Sequence, residues 1–146
     1  MFNIELDSKV HSDDESQWYE GRITLGDHSE IFLASAQPWT PDQYRRQWQA
    51  AARALASGAT KTAFVTSFVH PDAHHNFVWA AWRAGELVYV QEILLLRDSL
   101  PNVLDVDHIE RFVPQRHTKA EDGYQISEWV VSIDHITAFA ASDPTS

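Results

Sequence analysis

"HPDAHHNFVWAAWRAGELVYVQEILLL", residues 70–96, admits two readings, and the choice between them decides the fold. Three histidines and an aspartate at its start suggest a metal-bound catalytic loop, whereas the rest runs like paired β-strands. His70, His74 and His75 stand at i, i+4 and i+5. Pro71 drives His70 out of the α region, however, and Asp72 and Asn76 are turn formers. The helical spacing that aims two imidazoles at one zinc is therefore absent, and there is no HExxH. A loop this short rarely points three ligands at one place, so no metal ligands are expected. Downstream, "NFVWAAW" (76–82) and "ELVYVQEILLL" (86–96) read as strands. "RAGE" joins them as a tight turn containing Gly85, which makes them antiparallel neighbours. Trp79 and Trp82 have opposite parity and are expected on opposite faces of the sheet.

Working back from this hairpin, "KTAFVTSFV" (61–69) is β-branched and aromatic, as a strand is. Before it, "PWTPDQ" announces a helix: Thr40 suits the N-cap, Pro41 the first turn, and Gln43 completes a capping box. Tyr44, Trp48, Ala51 and Leu55 follow at helical spacing, with Arg45, Arg46, Gln49 and Arg53 assigned to other faces. Gly58 ends the helix as a left-handed cap would. Residues 2–6 alternate apolar and polar, and strands near 18–25 and 30–36 flank the turn "GDHS". Beyond the central hairpin, one helical turn is expected around Asp107–Arg111. A strand then places Ile126, Glu128 and Val130 on one face and Trp129, Val131 and Ile133 on the other. Asp134 is the expected cap of a short final helix carrying Ile136, Phe139 and Ala140. The chain thus reads as one α+β domain over residues 1–146, with one helix after the first three strands and a short C-terminal helix.

Composition narrows the function. The 146 residues include no cysteine, which excludes disulfides and thiolate zinc sites. The start "MFNIELDSKV" lacks the basic and apolar regions of a signal peptide, and no apolar run approaches the roughly 18 residues of a membrane span. A cytoplasmic protein is expected. There is no GxSxG, GxGxxG or P-loop, so no cofactor and no catalytic residue is expected, and enzyme is the disfavoured class. Paired carboxylates such as Asp105 and Asp107 read as solvated turns. Glu128, inside an apolar strand, reads as a carboxylate meeting water at a sheet edge or open face, the alternative being a charged anchor for recognition. Arg116 reads as a loop holder that bonds carbonyls or carboxylates.

Charge is the strongest functional signal. The net charge is −10, and residues 1–30 hold eight acidic against two basic residues, chiefly around "DSKVHSDDES". A solvated acidic loop is the plain interpretation, and an electrostatic lure for a basic partner the functional one. Binding to nucleic-acid phosphates is disfavoured by the same balance.

Several ordered stretches also carry a family likeness. Trp39 followed after four residues by "YRRQW", then "NFVWAAW", "ELVYVQE", "RFVPQRHTKAEDG" and "ISEW", together resemble the CdiI immunity proteins of bacterial contact-dependent growth inhibition systems. The likeness covers residues 38–140 and is nearest the branch that neutralises a nuclease toxin similar to the ribosomal-RNA-cleaving colicins. It implies bent antiparallel β-sheets of Whirly-like form braced by two helices. It also implies binding to the C-terminal toxin domain of a cognate cell-surface effector, with the matching aromatic and turn residues serving as scaffold. A nuclease domain must attract phosphates and is usually basic, which an acidic inhibitor suits. The expected toxin-binding residues are Asp13, Asp14, Glu15 and Glu20, followed by Asp105, Asp107, Glu110, Glu121 and Asp122. A single-stranded nucleic-acid-binding module of the same fold is the alternative, and a hydrolase built on His70, Asp72, His74 and His75 the third reading.

Overall fold

The computed structural model of the chain describes residues 1–36, 39–67, 75–96 and 106–142. Two antiparallel sheets pack face to face, with two helices closing the core. In the first sheet, β3 (Gln17–Leu25) is central: β4 (His28–Ser35) lies along one edge, while β1 (Phe2–Leu6) and β2 (His11–Ser12) share the other. The two-residue β2 sits inside the acidic stretch that the sequence presents as a loop. Gly26 turns β3 into β4 with φ +65°, a value that L side chains rarely adopt. The second sheet runs in the order β5 (Lys61–Ser67), β6 (His75–Ala84), β7 (Leu87–Leu96) and β8 (Trp129–Ser132). Residues 75–96 therefore fold as the strand reading requires, and β6–β7 is the antiparallel hairpin turning at Gly85.

The alternation of burial shows which way each sheet faces. Phe2, Ile4, Leu6, Tyr19, Ile23, Leu25, Phe32 and Ala34 point inward from the first sheet. Opposite them stand Phe64, Trp79, Val88, Val90 and Val131 of the second, and Phe2 meets Phe64 at 5.1 Å between ring centroids. Gly21 is glycine because a Cβ there would collide with the Phe32 ring and the Glu5 carbonyl. Trp79 and Trp82 do take opposite faces, and Trp79 is fully buried between the sheets.

Helix α1 (Pro41–Ala56) starts with the expected capping box: the Thr40 hydroxyl accepts from the Gln43 N–H, and the Gln43 side chain accepts from the Thr40 N–H. It ends in a Schellman arrangement, with Gly58 N–H bonded to Leu55 O and Ala59 N–H to Ala54 O, and Gly58 at φ +111°. Tyr44, Trp48, Ala51 and Leu55 are buried as periodicity predicts. Gln49, assigned to another face, is buried too: its amide donates to Phe139 O and Ser142 Oγ where α2 (Ile133–Ala141) packs across α1. The edge of β5 is closed by α1, because Gln47 donates to Ala63 O and accepts from Val65 N–H, both at 2.8 Å. The Trp48 indole donates to Val65 O beside it.

The far face of the second sheet is covered by a strap. It leaves a 3-10 segment, Val106–Phe112, and crosses three strands in turn. Lys61 on β5 donates to Val113 O, Trp82 on β6 to Pro114 O, and Gln91 on β7 to His117 O. Ile109 and Val113 plug the strap into the core. Two sequence expectations are corrected here. Strand β8 begins at Trp129 rather than Ile126, because residues 118–126 fold on themselves (Ile126 N–H bonds Thr118 O). The cap of α2 is Ser132, whose hydroxyl accepts from Asp134 N–H, so Asp134 is a first-turn residue.

Candidate protein-binding surface

The expected binding carboxylates stand on three separate elements, and their local chemistry differs. Asp13 turns the chain between β2 and β3. Its carboxylate accepts the Glu15 and Ser16 N–H groups at 2.9 and 2.7 Å. Those two backbone donors hold its pKa below the ordinary value. Asp13 is thus anchored in its own turn, while Asp14 and Glu15 project into water beside it. Glu20 stands on the outer face of the first sheet, opposite Leu33 on β4, and its backbone is tied to Asp7. A shallow hollow there is lined by Glu5, Asp7, Glu20, Arg22 and Ile31.

Asp107 and Glu110 belong elsewhere, on the 3-10 segment. They line a groove of about 520 Å³ against Trp39, Gln43 and Arg46 of the α1 region. Glu121 and Asp122 occupy the tip of the 118–126 fold, where Asp122 accepts the Tyr124 N–H and Tyr124 is 76% exposed. Asp105 lies outside the described residues. The strap lies on the side of the second sheet turned away from the first, so Glu20 and the strap residues do not share a face.

Glu128 and Arg116, weighed separately in the sequence, form one unit. The guanidinium grips the carboxylate with two bonds, Nε to Oε2 at 2.7 Å and Nη2 to Oε1, and stacks over the Tyr89 ring at 3.8 Å. Gln91 donates to the same carboxylate. The Arg116 hydrogen bond is the main cause of a Glu128 pKa below the usual glutamate value. Neither open edge nor recognition anchor describes Glu128, whose role is to pin the strap through Arg116, as the loop-holding reading of Arg116 requires.

Among the described residues, no group of three or more His, Asp or Glu side chains could hold a metal ion. His70, Asp72 and His74 lie outside those residues, and of His75 the backbone runs in β6.

Two features escaped the sequence. The first is a stack at the junction of the sheets: His28 lies on Trp129 at 4.4 Å, Trp129 on Trp79 at 5.5 Å, and His28 Nε2 is 3.3 Å from Glu30 Oε1. Glu92 approaches Glu30 from β7, and burial together with the Glu30 charge raises its pKa. The second is the outward pair Ile31 and Leu33, which are 53% and 56% exposed. A signal for it existed in "EIFLA" (30–34), where apolar residues of both parities imply a strand with two apolar faces.

Comparison with known proteins adds what geometry cannot. A family model described as the CdiI N-terminal domain matches residues 34–139. A solved structure, the CdiA-CT/CdiI toxin and immunity complex from Enterobacter cloacae, contains a chain of similar fold with a TM-score of 0.87. The two chains are 23% identical, and the alignment covers 96% of each. No curated protein sequence matches significantly.

Proposed function

Since this chain belongs to the CdiI family, we propose that it is the immunity protein of a CdiA C-terminal toxin, binding that toxin and protecting the cell that makes both. Such a protein is an inhibitor and not an enzyme. The observation that carries the reading is the family match over most of the chain, joined to a surface on which acidic side chains outnumber basic ones almost two to one. The finer reading is a basic nuclease toxin met in the cytoplasm. Asp13, Asp14, Glu15 and Glu20 draw it in, at rates that steering can raise to about 10⁸ M⁻¹s⁻¹ at low salt.

The alternative of a nucleic-acid-binding module is opposed by the scarcity of cations, eleven Lys and Arg against 21 Asp and Glu, and by where four of the eleven go. Arg45 donates to Leu6 O, Arg83 to Leu55 O and Gly85 O, Lys61 to Val113 O, and Arg116 is held by Glu128. These groups serve the fold, whereas a phosphate-binding groove needs cations facing solvent beside stacking aromatics. The test is a calorimetric titration into the C-terminal domain encoded just upstream, at low and high salt. Nanomolar affinity that weakens with salt is expected. Absence of heat at both salts would remove the inhibitor reading for that partner.

A further inference from the structure

The edges of the second sheet are protected over part of their length, β7 continuing past β8 from Gln91 to Leu96. Gln47 and Trp48 bond the outer edge of β5, and β8 at the other edge is only four residues long. The first sheet ends differently. Strand β4 is eight residues long; the Tyr44 hydroxyl donates to Ser35 O at its far end, and among the described residues no strand pairs with its outer side along residues 29–33.

The register shows which groups that edge presents. The two-residue turn makes Leu25 and His28 the first hydrogen-bonded pair, and bonded pairs recur at every second residue. Ala36 N–H to Gln17 O, at 3.0 Å, continues the same series at the far end. The backbone groups of His28, Glu30, Phe32 and Ala34 are therefore spent on β3, while those of Ser29, Ile31 and Leu33 point away from it. Ile31 and Leu33 are also the two large apolar side chains left more than half exposed on this strand. A stretch of apolar strand edge such as residues 29–33, unpaired among the described residues, is a pairing template that soluble proteins ordinarily blunt.

Charge distinguishes the two sides of the edge. On the outer side stand Ile31 and Leu33, with Arg22 beside Ile31 and Glu20 beside Leu33 on β3, and Glu5 on β1 beyond Arg22. On the inner side Glu30 and Glu92 lie close together at the junction of the sheets, Glu30 with 42% of its side chain exposed. Burial chiefly, and the Glu30 charge in addition, raise the Glu92 pKa, and a neighbouring cation would favour both carboxylates.

Resting on the toxin-binding reading above, we infer that the cognate toxin adds an extended segment to the free edge of β4. In that segment every second residue is apolar, to cover Ile31 and Leu33, and the residues between include Lys or Arg, to meet Glu30 and Glu92. Backbone hydrogen bonds supply affinity in strand addition and the alternate side chains supply specificity.

Two measurements with the upstream-encoded toxin domain test this. In hydrogen exchange, the Ile31 and Leu33 amides should exchange freely in the isolated protein and slow by about tenfold or more in the complex, as paired amides do. The double variant Ile31→Lys/Leu33→Lys should keep the wild-type melting temperature, because both side chains are solvent-facing, and weaken binding by about thirtyfold or more. If the wild type binds while the two amides stay unprotected, or the double variant binds as wild type, strand addition at β4 is wrong and the immunity reading stands. If the wild type does not bind at all, both fall together.

Discussion

Arg116 and Glu128 show how a residue's meaning depends on its partner. Either is ambiguous by itself in the sequence; together with Tyr89 and Gln91 they form a clasp that holds the strap against the second sheet. The pair is partly open to solvent, which screens it, so Arg116→Ala should cost only about 1 kcal/mol in urea denaturation. The pH dependence follows from a Glu128 pKa depressed in the folded state, principally by the Arg116 hydrogen bond. Its contribution is fully present above the ordinary glutamate value of 4.5 and is lost as pH falls through the depressed folded pKa. The stability advantage of wild type over Glu128→Gln should accordingly shrink with acidification below that value. A constant difference across the range would show that the charge of Glu128 contributes nothing.

At the level of elements, Gln47 has the largest expected effect for its size. Its amide substitutes for a missing neighbour strand, meeting one donor and one acceptor on the β5 edge. Gln47→Ala leaves two backbone groups without partners beneath a helix and should destabilise the protein by about 2–3 kcal/mol. The Val65 amide should then exchange faster than in wild type, a readout that simple loss of helix packing would not produce selectively. The helix itself was fully legible: Thr40, Pro41, Gln43 and Gly58 are local signals acting within a few residues. Gln49 was not, because its burial depends on α2, and its partners Phe139 and Ser142 lie 90 and 93 residues away.

Across the whole molecule, the acidic residues separate into groups with different prospects. Asp13, Asp14 and Glu15 form one turn and Glu20 stands on the outer sheet face, whereas Glu121 and Asp122 tip a fold on the strap. Replacing the first four by Asn or Gln should slow association with the toxin by about tenfold at low salt, the effect fading at high salt. Neutralising Glu121 and Asp122 should leave the rate close to wild type. Equal slowing by both sets would mean that net charge, not its placement, steers the encounter.

Local periodicity was enough to determine the longer strands and the two helices, because alternation and capping act over neighbouring residues, while the two-residue β2 and the start of β8 escaped it. The same one-dimensional pattern exposed the acidic bias of residues 1–30, since charge adds without regard to fold. Tertiary structure alone decided where the long segment after β7 would lie. Lys61, Trp82 and Gln91 reach its carbonyls from three different strands, and no local rule encodes a bond across 26 to 52 residues. It also decided which edge stays open. Edge status depends on what a distant helix covers: Gln47 closes β5, and β4 is left with Ile31 and Leu33 facing water.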